Sequence, residues 1–211
     1  MNDTETSSPP GPTGAAAPLS LRGIGLWPGF LGAREQAALM AEVAAIWDAA
    51  PPVRPVTRWG KPLSVAMTSA GALGWTSDRR GYRYEPRQPD GRAWPPIPAR
   101  LLALWAEVTG AAVAPDSCLV NLYREGARMG LHQDRDEASP APVVSFSLGD
   151  ACTFRFGTPE HRGRPYTDVR LESGDLVVFG GPSRMAFHGV PKVFDSTAPS
   201  WCREVLGAEP G

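Results

Sequence analysis

The chain has 211 residues, enough for one domain that buries a sizeable core without covalent staples. It is 42% hydrophobic and 20% charged with a net charge of −1, which is ordinary for a globular protein and excludes a global attraction to nucleic acid; any such binding must rest on a local patch. The three cysteines (Cys118, Cys152, Cys202) make no C-x-x-C pair and no apolar run approaches the ~20 residues of a membrane span, so a reduced, cytoplasmic protein is expected, with a monomer as the default.

Residues 1–18 carry Asp3 and Glu5, then Ser, Pro, Gly and Ala, with neither a basic start nor an apolar core; they read as a flexible tail, not a signal peptide. Residues 19–211 read as a single domain. An apolar entry, Leu19 to Phe30, leads to a helix over 33–50, whose Leu39, Met40, Val43, Ile46 and Trp47 follow the helical period and which Pro51-Pro52 stops. Residues 56–96 are rich in Gly and aromatics (Trp59, Trp75, Tyr82, Tyr84, Trp94) without long periodicity. Pro95, Pro96 and Pro98 introduce a second helix over 98–109, with Leu101, Leu102, Leu104, Trp105 and Val108 as its stripe and Gly110 as its stop. From Ser117 the pattern turns to strands, over 118–123, 143–148, 152–156, 167–171, 175–179 and 185–188. Helices first and short strands afterwards predict a mainly β domain with flanking helices (α+β), a sandwich or jelly roll.

Chemistry concentrates in Leu131-His132-Gln133-Asp134-Arg135-Asp136-Glu137. His132 and Asp134 lie two apart, so on a strand both side chains leave one face and reach one ion. His188 follows 54 residues after Asp134, and a closed β-fold can bring it round as a third ligand. Two imidazoles and one carboxylate leave open positions on a metal, the arrangement of non-haem Fe(II) oxygenases. The bland competitor is a histidine that merely satisfies a local hydrogen bond. The neighbours weigh against it: Gln133, Arg135, Asp136 and Glu137 are too polar for a core strand and suit the rim of a cavity. A zinc hydrolase with the same triad is the weakest option, since nothing beside it suggests a general base.

Four blocks carry a family resemblance: PLSVAMTSAGALGWTSDRRGYRY (62–84), SCLVNLYREGARMGLHQDRDE (117–137), VVSFSLG (143–149) and SGDLVVFGGPSRMAFHG (173–189). In this order they closely resemble the AlkB family of Fe(II)/2-oxoglutarate-dependent dioxygenases, in particular the bacterial DNA-repair enzymes. The resemblance implies a double-stranded β-helix (jelly-roll) core over 117–192 and a nucleotide-recognition lid over 56–96. It implies Fe(II) on His132, Asp134 and His188, and 2-oxoglutarate on Asn121 and Tyr123 with Leu122 between them. The substrate side falls to Met67, Trp75, Tyr82, Arg83, Tyr84, Asp136 and Arg162, with Arg164 as a rival to Arg162. Trp75 matches the residue that stacks on the damaged base, and Asp136 the carboxylate that reads its exocyclic amino group. The implied reaction uses O2 and 2-oxoglutarate to demethylate bases such as 1-methyladenine and 3-methylcytosine, releasing formaldehyde, succinate and CO2. The implied partner is alkylated single- or double-stranded DNA, with RNA not distinguished.

Charge around the lid fits that partner: residues 77–100 hold six arginines against Asp78, Glu85 and Asp90. The departure lies at the C-terminus. The family pattern Arg-x-Asn-x-Thr-x-Arg, whose arginines clamp 2-oxoglutarate, is replaced by Arg203-Glu-Val-Leu-Gly-Ala-Glu-Pro-Gly211, in which only Arg203 can stand in. A jelly roll without its last strand, and an AlkB-like nucleic-acid-binding protein of impaired catalysis, are the alternative expectations.

Overall fold

The computed structural model describes residues 18–124, 126–137 and 139–202. The apolar entry is a hairpin: β1 (Leu19–Leu21) returns as β2 (Ile24–Trp27) through Arg22 and Gly23, both at positive φ. Helix α1 (Ala33–Ala49) buries Leu39, Met40 and Ile46, with Val43 and Trp47 half-buried beside them. Gln36 is buried too, because its amide donates to Leu31 O at 2.7 Å and accepts from Ser173 Oγ at 2.6 Å, tying the helix to the loop before Asp175.

Next come β3 (Ala66–Gly71), β4 (Gly74–Asp78), β5 (Gly81–Glu85) and α2 (Ala99–Thr109), which ends in a left-handed Gly110 at φ 63°. The remaining strands are β6 (Ser117–Leu122), β7 (Met129–His132), β8 (Val143–Phe146), β9 (Ala151–Phe156), β10 (Thr167–Leu171), β11 (Leu176–Phe179) and β12 (His188–Phe194). They form two antiparallel four-stranded sheets, β1-β2-β11-β8 and β10-β9-β12-β7, with two further pairs, β3-β6 and β4-β5.

β11 shows why the layers stack. All four of its residues are buried, and alternate side chains leave opposite faces. Val177 and Phe179 meet Phe154, Phe156, Leu171 and Val190 of the second sheet, which is the sandwich core. Leu176 and Val178 instead meet Trp27 and Val108, so α2 covers the outside of the first sheet. Each such side chain contributes roughly 1.5–3 kcal/mol on full burial. The result is the mainly β, helix-flanked sandwich that the pattern predicts. The three cysteines are free thiols, and no helix among the described residues is long and apolar enough to cross a membrane.

Several elements differ from expectation. The strand expected over 185–188 begins only at His188 and runs on to Phe194. The residues before it are used by a turn and a crossing loop: Ala186 N donates to Ser183 O and Phe187 N to Thr158 O. Pro191, which has no N–H to give a ladder, sits where the β12–β9 register shifts between Gly189 and Lys192. Within 56–96, β3 pairs with β6 in the register Met67↔Asn121, so only the β4–β5 ribbon stands apart. Arg203 and the C-terminal segment that follows it, with the expectation of a missing strand, lie outside the described residues.

Candidate active site

The antiparallel pairing of β7 and β12 places His132 directly opposite His188, with ring centroids 4.4 Å apart. Such close approach needs a glycine: a β-carbon on Gly189 would lie 2.7 Å from Met129 O and 2.9 Å from Gly130 O. Asp134 is not on the strand, which ends at His132, so the period-2 argument for this pair does not apply. The loop is pinned instead. Gln133 donates its side-chain amide to Pro159 O at 2.9 Å and also to Met185 O, and this turns the next residue inward.

The Asp134 carboxylate then lies between the two rings, Oδ1 at 3.5 Å from His132 Nε2 and Oδ2 at 3.6 Å from His188 Nε2. One ligand atom from each residue falls within 4.8 Å of the others. Each histidine has its Nδ1 3.0 Å from a backbone carbonyl, Gly130 O for His132 and Ala186 O for His188. That contact places the proton on Nδ1 and leaves the Nε2 lone pair facing the cluster, as a metal-ligating imidazole requires. Burial, and then the neighbouring His132, hold the His188 pKa below the usual histidine value, which favours the neutral ligand form. The donor set fits a divalent metal.

Above this cluster the β4–β5 ribbon carries the aromatics. Trp75 and Tyr82 stack on each other at 5.4 Å with 30° between planes, and Trp75 packs against the buried cluster of Val65, Met67 and Ala127, as do Leu63, Tyr123 and Met129. Tyr84 reaches down and donates to Glu137 Oε1 at 3.0 Å. Glu137 is also paired with Arg184, whose buried guanidinium donates to Ala141 O at 2.9 Å and Asp134 O at 3.4 Å. One network therefore ties the ribbon to the backbone of a cluster residue.

Residues 23–208 match the family model described as the 2OG-Fe(II) oxygenase superfamily. The chain is similar to the Alpha-ketoglutarate-dependent dioxygenase AlkB homolog of Caulobacter vibrioides, 52% identical over 186 residues, which cover 87% of this chain and 84% of that one. The chain belongs to the AlkB family. It is a 2-oxoglutarate-dependent dioxygenase that uses Fe(II) and O2. A solved relative, "The structure of OsALKBH1", superposes with a TM-score of 0.78 at 32% identity, covering 92% of this chain and 96% of that one. A shorter match joins this chain to DNA N(6)-methyladenine demethylase ALKBH1D of Arabidopsis thaliana, 47% identical over 96 residues, 41% of this chain and 21% of that one.

The residues that the AlkB resemblance singles out fall in different environments. Asn121 is exposed on β6, while Leu122 and Tyr123 are half-buried. Tyr123 packs against the sandwich core, and its hydroxyl lies 3.8 Å from Met129 Sδ. Met67 is buried in the cluster beneath Trp75. Asp136 is exposed on the loop that bears Asp134. The guanidinium of Arg162 lies over Gly130, within 3.4 Å of where a β-carbon would sit, whereas Arg164 is turned toward the Tyr166 ring; of the two, Arg162 is beside the cluster.

Arg83 is committed inside the ribbon, bonded to both oxygens of Asp78 at 2.9 Å and to Glu85 at 2.6 Å. Arg80 and Arg92 are likewise paired, with Asp78 and Asp90. Three of the six arginines counted over 77–100 are thus committed to the three carboxylates of that segment. Sequence reasoning missed Glu137 and Arg184 as a unit. The signal was there: a lone cation in the apolar run Gly180 to Phe187 needs a buried partner.

Proposed function

We propose that this chain is an oxidative demethylase of alkylated bases in DNA, acting on lesions such as 1-methyladenine and 3-methylcytosine. The observation that carries this reading is the hydrogen bond from Tyr84 to Glu137, which joins an aromatic, base-sized platform to the loop of the metal-ligand cluster. A base stacked on Trp75 is thereby held at a fixed place above His132, Asp134 and His188. Iron cannot reach a methyl group inside a paired stack, so such an enzyme must take the base out and hold it on aromatic faces.

When bound, Fe(II) with 2-oxoglutarate and O2 supplies the oxidising chemistry that converts an N-methyl to an N-hydroxymethyl group, with succinate and CO2 formed and formaldehyde lost afterwards. His132, Asp134 and His188 hold the metal. Asn121, Leu122 and Tyr123 line the 2-oxoglutarate side, with Arg203 as the candidate carboxylate clamp. Trp75, Tyr82 and Met67 support the base, and a cationic methylated ring gains a cation–π attraction there. Asp136 accepts from the exocyclic amino group, and Arg162 faces the substrate from the opposite loop. Tyr84 and Arg83 hold the shape of the platform. The protein works as a monomer in the cytoplasm.

The test is release of formaldehyde and succinate from a 1-methyladenine oligodeoxynucleotide, with the RNA counterpart alongside and His132→Ala as control. Turnover by the wild type that the variant lacks supports the reading. Absence of turnover in a soluble, iron-binding wild type would overturn it.

A further inference from the structure

The ribbon that carries Trp75, Tyr82 and Tyr84 forms a two-stranded sheet of its own, β4-β5. Such a ribbon is marginally stable alone, so its angle to the body must be set by groups outside it. Its open end is the pair Gly74↔Glu85, and the next pair, Trp75↔Tyr84, bears the base platform. Whatever holds the first pair therefore aims the second.

Trp94 holds both members of that first pair. Its Nε1 donates to Glu85 O at 3.0 Å, and its ring covers Gly74 so closely that a β-carbon there would overlap Cε2, Cζ2 and Cδ2 of the indole. Gly74 is buried and is not among the glycines at positive φ, so the ring, and not the backbone conformation, requires a glycine at this position. Trp94 is in turn fixed from its own loop. The buried Gln88 donates Nε2 to Ala93 O and its backbone N–H to Arg92 O, both at 2.8 Å. On the other side Pro95 O accepts from Gly71 N at 2.8 Å, which ties the residue after Trp94 to the end of β3. Away from the ribbon the indole lines an apolar groove of about 430 Å3 with Pro96, Ile97 and Leu102. That groove contains no residue of the metal cluster or of the platform, so the indole reaches the site through the ribbon.

We infer that Trp94 is a positioning residue for the demethylation: by clamping Gly74 and Glu85 it fixes the angle of the β4–β5 ribbon, and so the place at which Trp75 presents the methyl group to the cluster. This rests on the demethylase reading above. The indole supplies two different restraints, a buried N–H that needs its acceptor and a ring that leaves no room for a side chain on β4. Loss of either lets the ribbon turn about its base while the Trp75 face that captures the base stays intact. The reaction then loses alignment more than it loses affinity, and a misplacement of 1 Å can cost about 10²-fold in rate.

The experiment uses the full chain with Fe(II), 2-oxoglutarate and a 1-methyladenine single strand, and measures formaldehyde and succinate together. Succinate forms whenever 2-oxoglutarate is consumed, whereas formaldehyde requires the methyl group to be in place. Trp94→Leu should lower the formaldehyde-to-succinate ratio about tenfold, part of what a 1 Å misplacement costs, with KM changed by less than about threefold. Trp94→Phe, which keeps a ring over Gly74 and loses the N–H, should fall between Trp94→Leu and wild type. Gly74→Ala should cause a comparable loss in wild type and little further loss in Trp94→Leu, where the indole that it strikes is gone. A readout independent of turnover is amide hydrogen exchange: Trp94→Leu should speed it at least about tenfold within 74–85 and leave β9 and β11 unchanged. An unchanged ratio in Trp94→Leu, additive losses for the Gly74 and Trp94 pair, or exchange raised equally in all strands would overturn the inference. Wild-type turnover separates the two failures. If wild type releases formaldehyde and Trp94→Leu keeps its ratio, only the positioning role falls; if wild type releases none, the demethylase reading falls and takes this one with it.

Discussion

Tyr84 and Glu137, 53 residues apart in sequence, are joined by a 3.0 Å hydrogen bond that links the aromatic ribbon to the metal-ligand loop. Burial, followed by the nearby Glu137 charge, pushes the Tyr84 phenol far above its ordinary range, so it remains a proton donor at any working pH. Tyr84→Phe keeps the ring and removes only the bond. A hydrogen bond to a charged group is worth about 1.5–3 kcal/mol, so KM for a methylated oligonucleotide should rise about tenfold or more while metal affinity stays unchanged. Steady-state kinetics with a parallel metal titration check this. An unchanged KM would mean that the bond does not position the platform.

Arg184 tests the other half of the network. Its guanidinium is buried, with its charge balanced by Glu137 and its remaining donors on Ala141 O and Asp134 O. Arg184→Met leaves Glu137 without its cation in a mostly buried position. Breaking a buried pair costs roughly 3–5 kcal/mol, and the partial exposure of Glu137 puts the expected loss at the lower end. Urea unfolding should show this loss, together with weaker metal binding because the Asp134 carbonyl is released. The double variant Glu137→Gln/Arg184→Met should recover part of the stability, since no unpaired charge remains. Additive losses in the double variant would contradict the coupling.

Gly189 sets how closely β12 approaches β7. A β-carbon there would strike backbone atoms of Met129 and Gly130, which no side-chain rotation can relieve. Gly189→Ala should push His188 away from His132 and lower metal affinity at least several-fold. The accompanying loss of stability should be about 1–3 kcal/mol, typical of overpacking. Isothermal titration with Mn(II) and thermal unfolding read the two effects separately.

How much of this was legible in the sequence follows from the physics of each element. The helices could be read because their apolar residues repeat at the helical period and prolines and Gly110 mark their ends. β10 and β11 could be read because short β-branched runs lie between turn residues. β3, β4, β5 and β7 were not legible as strands: they are four to six residues long, β3 and β4 are rich in Gly, Ser and Thr, β4 and β5 are a short polar hairpin, and β3 and β7 take their shape from pairing with the distant β6 and β12. The ligand triad was found by residue type, yet the reason given for one pair was wrong, since Asp134 is placed by the Gln133 anchor and not by strand alternation. Which arginines are free was not legible, because the answer depends on which carboxylates fold back onto them.

Metal removal provides a test that does not depend on substrate. A ligand present at 100 times its Kd stabilises the native state by ~2.7 kcal/mol, and for a domain of 150–250 residues each kcal/mol moves Tm by roughly 2–4 °C. Adding Fe(II) or Mn(II) anaerobically to the metal-free protein should therefore raise Tm by several degrees, and chelation should reverse it. His132→Ala or Asp134→Ala should abolish the shift while leaving the metal-free Tm nearly unchanged, because both side chains are only half-buried. A shift of wild-type size in either variant would place the metal elsewhere.

Trp75 decides whether the ribbon reads a base. It is already stacked on Tyr82 and backed by the buried cluster of Val65, Met67 and Ala127, so its ring is preorganised and little is lost on ordering it when a base arrives. Removing a base–aromatic stack costs about 1–3 kcal/mol, so Trp75→Ala should raise KM for a methylated single strand by roughly 5- to 150-fold. Trp75→Phe should keep most of the affinity, because any base offers a π-face to a smaller ring. Metal titration should be unaltered in both variants, since neither touches His132, Asp134 or His188. If Trp75→Ala lowers kcat with KM unchanged, the ring acts on the geometry of the reacting methyl group and not on capture of the base. That outcome would move the stacking role to Tyr82, whose half-exposed ring forms the other side of the pair.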